Sequence, residues 1–301
     1  MPIAGREVPV SKQDKVLFPQ AGLTKRDLAD HIEHVAEVML PHMRDRPLTL
    51  QRFPDGIDAD GFVQKQASEH FPDWLDTVDV PLRDGGSQRA VLGSSEAALT
   101  YLVDQATIEF HIWPSTVAAL DCPDLLVIDI DPPESSAPIG EIRSVARRLQ
   151  DLFGELGLLA YLQATGGRGF HVLAPLDRSA DFEAVRRLAG DIADALVADD
   201  PNRLTTEFRK ENRGDRIFLD VNRNGYGQTF IAPYSVRARP GGSCAMPLDW
   251  SELAGAWPNG WDMRRAHRRL AQKTDPWQRL HDERLACSPG EAERRLAALR
   301  E

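Results

Sequence analysis

The sequence predicts an α+β fold, with a split β-α-β-β-α-β sheet in its second half and a mixed α/β lobe before it. Three observations predict it. An apolar run, Leu125-Leu126-Val127-Ile128, leads directly into Asp129-Ile130-Asp131 and stops at Pro132-Pro133, as a short buried strand does. Two stretches with apolar residues at helical spacing follow, one ending at Gly157 and the other opening on Asp181. Between them a turn, Thr165-Gly166-Gly167-Arg168-Gly169, separates two strand-like runs. At 301 residues the chain has room for one large domain or two packed lobes, and no repeat or Gly/Ser linker divides it.

The first lobe opens with a turn at Phe18-Pro19-Gln20-Ala21-Gly22. Thr24 then caps a helix, with Asp27 three residues on, and Leu28, Ile32, Val35, Ala36, Met39 and Leu40 repeat at helical spacing up to Pro41. Short strands are predicted at Leu48 to Phe53, Gly61 to Lys65 and, after the Asp84-Gly85-Gly86 turn, Ala90 to Leu92. In the second half the strand at 125–131 is followed by a helix from Ile139 to Leu156 and strands at Leu158 to Ala164 and Phe170 to Pro175. A helix from Asp181 to Asp199 and strands near Leu204 to Phe208, Arg216 to Val221 and Thr229 to Pro233 complete the pattern. Helices then cover one face of the sheet and leave the other for ligand. The tail from Trp250 reads as helical, anchored by Trp257, Trp261 and Trp277. The expected division is an N-terminal lobe over 1–120, a metal- and nucleotide-binding lobe over 121–245 and a helical tail over 246–301.

Composition narrows the function classes. A hydrophobic content of 42% and a charged content of 27% describe a soluble globular protein. No apolar run approaches the ~18 residues that span a bilayer, and the opening residues lack a basic segment followed by an apolar one. Cys122, Cys244 and Cys287 are far apart and odd in number, so a disulfide framework or cysteine zinc site is not supported and a reducing cytoplasm fits. A net charge of −10 argues against coating nucleic acid by bulk attraction. Between Arg203 and Arg239, however, eight basic residues face four acidic ones, a local net of +4 on an acidic body.

Asp129 and Asp131 are two residues apart on a strand and emerge on the same face. Unpaired carboxylates ending a buried strand are costly, and a cation is one solution, Asp131 capping the Pro-Pro turn being the other. Asp220, in Ile217-Phe218-Leu219-Asp220-Val221, is again a carboxylate in an apolar strand. If that strand neighbours the first, three carboxylates converge as a two-metal nucleotidyl-transfer centre requires, and oxygen ligands select Mg²⁺ or Mn²⁺ over zinc. The glycine turn would let backbone N–H groups approach an anion, with Thr165, Arg168 and His171 as further donors, or it is a plain hairpin. It is neither a Walker loop nor a G-x-G-x-x-G motif. Alternation sets His171 on the face opposite Phe170 and Val172, the open one. His111, between Phe110 and Ile112, reads by itself as a core histidine.

In combination the chain resembles the polymerase domain of bacterial ATP-dependent DNA ligase D and its stand-alone relatives, of the archaeo-eukaryotic primase superfamily. The resemblance runs from Asp14-Lys15-Val16-Leu17-Phe18-Pro19 and Gly22-Leu23-Thr24-Lys25 through Arg46-Pro47-Leu48-Thr49-Leu50 and Arg52-Phe53-Pro54-Asp55-Gly56. It continues with Asp129-Ile130-Asp131-Pro132, Gly166-Gly167-Arg168-Gly169 and the block from Ala232 to Pro240. It implies a primase-polymerase fold and, with no ligase or nuclease module in view, the stand-alone form. Asp129, Asp131 and Asp220 are then the catalytic metal ligands. Thr165, Gly166, Gly167, Arg168 and His171 form the triphosphate loop, where the family usually has serine and lysine for Thr165 and Arg168. Arg52, His111 and Arg237 attend the incoming nucleotide. Arg223 stands where glutamine is common, and neither it nor Arg213 receives a firm role. Lys15 and Lys25 match a pocket for a DNA 5′-phosphate, with Lys12 in place of a family asparagine. Phe53 and Phe62 match positions that stack on template bases, the alternative being that both are core.

The resemblance implies metal-dependent, template-directed addition of nucleotides to a primer 3′-hydroxyl at gaps and broken ends in DNA break repair, with ribonucleotides favoured. Two Mn²⁺ or Mg²⁺ ions, an NTP or dNTP and gapped or broken double-stranded DNA are the implied cofactors and partners, with an ATP-dependent ligase and Ku beyond them. A monomer in the bacterial cytoplasm, at the nucleoid and not at a membrane, is expected. The rivals are a primase that starts strands de novo and a non-catalytic module that binds DNA ends.

Overall fold

The computed structural model describes residues 6–135 and 137–300. In chain order the elements are β1 (Val16–Phe18), β2 (Leu23–Thr24), α1 (Lys25–Met43), β3 (Leu48–Arg52), β4 (Phe62–Gln64), β5 (Thr77–Pro81), β6 (Ser87–Val91), α2 (Glu96–Asp104) and β7 (Thr107–Ile112). There follow β8 (Leu125–Asp131), α3 (Ile139–Glu155), β9 (Tyr161–Ala164), β10 (Phe170–Pro175), α4 (Phe182–Asp199), β11 (Leu204–Thr205) and β12 (Ile217–Asp220). The chain ends with β13 (Phe230–Ile231), β14 (Met246–Leu248), α5 (Met263–Leu270) and α6 (Pro289–Leu299). Among the described residues no helix is long and apolar enough to cross a membrane.

The structure breaks within two residues of the expected boundaries at 120 and 245, but its units are not three consecutive segments. It forms two interleaved units, one of residues 1–118, 229–246 and 260–275, the other of 119–228, 247–259 and 276–301. The reason is pairing at long range. β13 adds antiparallel to β7, with Phe230 opposite Ile112, and returns that part of the chain to the first unit.

In the first unit a four-stranded sheet has the order β13-β7-β3-β4. Leu48, Leu50, Ile108 and Phe110 are buried in it, with Leu28, Ile32, Val35 and Met39 of α1 and Leu99 and Leu102 of α2 also in the core. The predicted cap of α1 is a full capping box: Asp27 N–H donates to the Thr24 side chain and the Asp27 carboxylate accepts from Thr24 N–H. The helix runs past the expected stop at Pro41 to Met43, because only the last turn is touched and Arg44 N–H still closes on Leu40 O at 2.9 Å. The predicted strand at 90–92 is the end of a longer hairpin, β5–β6, turned by Gly85 and Gly86 at positive φ.

The second unit is built on a six-stranded sheet in the order β11-β12-β8-β10-β9-β14. Its β8-α3-β9-β10-α4-β12 core is the expected split β-α-β-β-α-β arrangement, with β8 central between antiparallel β12 and β10. Helices α3 and α4 bury Val145, Ala146, Leu149, Val185, Leu188 and Ile192 beside Leu126, Ile128 and Ile130 of β8. Of the expected tail anchors, Trp277 is 1% exposed and donates its indole N–H to Leu162 O, whereas Trp257 is 55% exposed. Trp257 is no core anchor: its ring lies beneath the Arg143 guanidinium, 5.7 Å away.

Candidate active site

Antiparallel pairing builds the acidic centre of the second unit. Asp220 on β12 stands directly opposite Asp129 on β8, and His171 on β10 stands opposite Asp129 from the other side. Residues opposite one another share a face, and Asp131, two residues on, shares it too. The strand neighbourhood required of the third acid is therefore present.

Each carboxylate is met by a cation. Arg168 Nη2 reaches Asp131 Oδ1 at 2.9 Å and Arg213 Nη1 stands 3.7 Å from Asp131 Oδ2. Arg223 Nη2 is 3.5 Å from Asp129 Oδ2 and its Nε 4.0 Å from Asp220 Oδ2, while His171 Nε2 is 3.5 Å from Asp129 Oδ2. Asp220 Oδ1 also accepts from the backbone and side-chain nitrogens of Asn222, at 2.8 and 2.7 Å. Burial, and then the charge of Asp129, push the Asp131 carboxyl above its ordinary range, with Arg168 and Arg213 opposing. His171 is on the predicted face, but its ring is buried there instead of open to solvent.

The register and the all-oxygen donor set of these three acids suit a hard divalent cation. Their side chains, however, are turned toward guanidinium groups, and among the described residues no three His, Cys, Asp or Glu side chains stand as a group that could hold an ion. A cation would take the place of these guanidinium contacts.

The glycine turn is tied from within. Thr165 Oγ1 donates to Gly169 O at 2.8 Å and accepts from Gly167 N–H at 3.1 Å, and Gly166, at φ +67°, donates its N–H to Pro258 O at 2.8 Å. These groups shape the turn, and the Arg168 guanidinium is its outward cation, on Asp131. Beside it lies a cavity of about 210 Å³ lined by Asp131, Glu134, Arg168, Lys210, Arg213 and Arg216, among others. Arg213 covers the Phe218 ring at 3.7 Å and ties its own loop through Glu207 O and Phe208 O, at 2.9 and 2.6 Å.

The first unit holds the other candidates. His111 on β7 lies beside Glu109, two residues back on the same face, with Nε2 3.0 Å from Glu109 Oε2. Arg237 Nε stands 3.1 Å from the same oxygen, and Ala238 N–H donates to Glu109 Oε1 at 2.8 Å. Burial alone would raise the Glu109 carboxyl; its hydrogen bond with His111 and the charge of Arg237 more than reverse this and hold it at about 2. Glu109 is the residue that sequence reasoning missed. Its signal was available, because it is a carboxylate in an apolar strand, the same mark that singled out Asp129 and Asp220.

Arg52 donates to Gln105 O at 2.6 Å and Gln64 Oε1 at 2.7 Å, and its guanidinium lies 5.1 Å above the Phe62 ring. Phe62 is 46% exposed, and Phe53 is half-buried against Gly61, where an added Cβ would meet its ring at 2.4 Å. Lys15 and Lys25 are neighbours, with Lys25 N–H donating to Lys15 O at 2.9 Å. Their ammonium groups are held by Asp55 at 2.8 Å and Asp104 at 3.1 Å, Lys25 being buried, while Lys12 is exposed at φ +46°.

Comparison with known proteins identifies relatives of the chain. The family model described as LigD, primase-polymerase domain, matches residues 24–277. The multifunctional non-homologous end joining DNA repair protein LigD of Mycobacterium tuberculosis H37Rv is 34% identical over 257 residues, 82% of this chain and 34% of that protein. The multifunctional non-homologous end joining protein LigD of Pseudomonas aeruginosa is 34% identical over 275 residues, 90% of this chain and 32% of its own. The chain thus spans about a third of the length of these relatives. The solved polymerase domain from Mycobacterium tuberculosis Ligase D in complex with DNA superposes with a TM-score of 0.86 at 31% identity, over 93% of this chain and 99% of that one. Sequence and fold together make this chain a member of the LigD primase-polymerase domain family.

Proposed function

We propose that the chain is a template-directed, divalent-metal-dependent nucleotidyltransferase that extends a primer 3′-hydroxyl at gaps and broken DNA ends during end joining, with a preference for ribonucleotides. The observation that carries this reading is the register of Asp129 opposite Asp220, with Asp131 on the same face. Three carboxylates gathered at one sheet face concentrate negative charge where a divalent cation would be favourably held. Two Mn²⁺ or Mg²⁺ ions there would activate the attacking hydroxyl and neutralise charge on the leaving pyrophosphate. Arg168, His171 and the 166–169 turn would orient the triphosphate, with Arg52, His111 and Arg237 attending base or sugar. Arg223 and Arg213 would exchange their carboxylates for phosphate oxygens, for which a guanidinium fork is well matched. Phe53 and Phe62 would stack on template bases and Lys12, Lys15 and Lys25 take a 5′-phosphate. A ligase and Ku are the proposed partners, since the relatives are named for end joining.

Primer extension on a gapped duplex tests the reading, with rNTPs against dNTPs and Mn²⁺ against Mg²⁺. Asp129→Asn and Asp220→Asn should each lower turnover about a thousandfold, as loss of charge stabilisation in a transition state does, while DNA affinity is retained. Normal extension by either variant overturns the metal assignment. DNA binding by the native chain without incorporation favours the non-catalytic rival, and products on unprimed template favour the primase. On the same gaps, removing the 5′-phosphate should slow fill-in by the native chain, and Lys15→Ala should erase that difference.

A further inference from the structure

We infer that residues 249–259 form a strap that fixes the shape of the 166–169 turn, and that Arg143 on α3 is the positioning residue that holds the strap in place. The inference rests on the reading of that turn as a nucleotide site. It is drawn from a chain of contacts within the second unit.

Gly166 is buried and left-handed, at φ +67°, and its N–H donates to Pro258 O at 2.8 Å. A glycine there has no side chain to limit its backbone, so its hydrogen bonds must do so. Two residues back from Pro258, the carbonyl of Ala256 accepts from both Nε and Nη2 of Arg143, at 3.0 and 2.8 Å. The guanidinium also covers the Trp257 ring at 5.7 Å. A tryptophan 55% exposed gains little from packing, and a fixed cation on its face accounts for its position. Proline at 258 keeps Trp257 from turning helical, so the link between the two carbonyls is short and stiff.

One turn further along α3, Arg147 repeats the arrangement. It donates from Nη2 to Trp250 O at 3.1 Å and lies 5.5 Å over the Trp250 ring, whose Nε1–H donates to Ala160 O at 2.8 Å, just before β9. The strap is thus held at both ends by one face of α3. Arg143 acts through the strap on the turn.

The test combines two measurements on the full chain. Hydrogen exchange of the Gly166 amide reports on the strap without nucleotide, and the KM for ATP against kcat in Mn²⁺-dependent primer extension reports on the site. Arg143→Ala should speed that exchange about tenfold and raise KM about five- to tenfold, with kcat within twofold and DNA affinity unchanged. Arg143→Lys, which keeps the charge over Trp257 but not the two-nitrogen grip, should recover part of both losses. Unchanged exchange overturns the inference, as does faster exchange with an unchanged KM. A fall in kcat and thermal stability without a KM change identifies a merely structural arginine and overturns it too. A native chain that takes up no nucleotide overturns the functional reading and this inference together, and is recognised before any residue is changed.

Discussion

Glu109 illustrates how a buried carboxylate can organise residues that sequence spacing leaves apart. His111 is two positions away and Arg237 far along the chain, yet both meet one carboxylate oxygen, at 3.0 and 3.1 Å. Burial opposes the charged form, and the hydrogen bond with His111 and the charge of Arg237 restore it, so the folded carboxyl titrates at about 2 against an ordinary 4.5. A depressed carboxyl adds stability that is complete above its unfolded value and is lost as pH falls from about 4.5 to about 2. The difference corresponds to about 3 kcal/mol at neutral pH. Glu109→Gln should therefore be less stable than the native chain by about that amount at pH 7, with the gap narrowing as pH falls from about 4.5 toward about 2. Chemical denaturation at several pH values measures it, and a gap of constant size would show that the charge is not the cause. The same mark, a carboxylate in an apolar strand, shows how far the sequence was legible. Asp129, Asp131 and Asp220 announced themselves as acids in apolar strands, and pairing brought them to one face. The partners that now neutralise them did not announce themselves, because which long side chain reaches which carboxylate depends on loop courses that no periodicity encodes.

Elements with strong local signals were read closely: the capped helices α1 and α4, the apolar strand β8, and the turn between β9 and β10. Helix α2 was not anticipated. Its nine residues, Glu96 to Asp104, are too few for an unmistakable helical repeat, and β7 follows it almost directly. Strands β11, β12 and β13 came out shorter than expected, since the ends of apolar runs bury side chains without joining a ladder. Within the second unit the close approach of Gly169, just before β10, to β8 constrains the candidate site. An added Cβ on Gly169 would lie 1.7 Å from the carbonyl oxygen of Ile130, a backbone atom that cannot swing away. Phe170 is paired with Ile130, so relief would require shifting the register that sets His171 against Asp129. Gly169→Ala should accordingly destabilise the chain by about 3 kcal/mol, at the upper end of overpacking costs, and weaken the cluster on Asp131 and Arg168. A melting temperature within a degree of native would refute this account, and Gly140→Ala, which meets nothing within 4 Å, serves as the control.

At the scale of the whole molecule, the order of segments along the chain is not the order in which they pack. Helical spacing and strand alternation report what lies on a face, not which distant strand will cover it, so a division into consecutive segments was the natural reading. The structure instead completes the first unit with residues 229–246 and 260–275. Those residues supply β13 to the side of β7, and Ser235 Oγ accepts from Phe110 N–H at 2.9 Å. Within the same unit Tyr234, fully buried, accepts at its carbonyl from His31 Nε2 at 3.0 Å and donates its hydroxyl to Asp275 at 2.8 Å. A chain ending at Gln228 would thus expose one side of β7, strip Phe230, Ile231, Tyr234 and Val236 from the core and leave the buried His31 with a lost partner. At about 2–5 kcal/mol for each core side chain lost, these four alone cost as much as the ~5–15 kcal/mol by which domains of this kind are stable. Such a truncation should not fold cooperatively, even though it retains α1, α2 and the complete β8 to β12 stretch. Near-ultraviolet circular dichroism and a denaturant titration would decide. A sigmoidal transition with native tertiary signal would mean that the N-terminal residues form a core alone. A chain ending instead at Ser288 keeps the Cys287 bonds to Pro175 and Asp177, loses α6, whose buried residues are Pro289, Ala292 and Leu296, and should still unfold in one cooperative step.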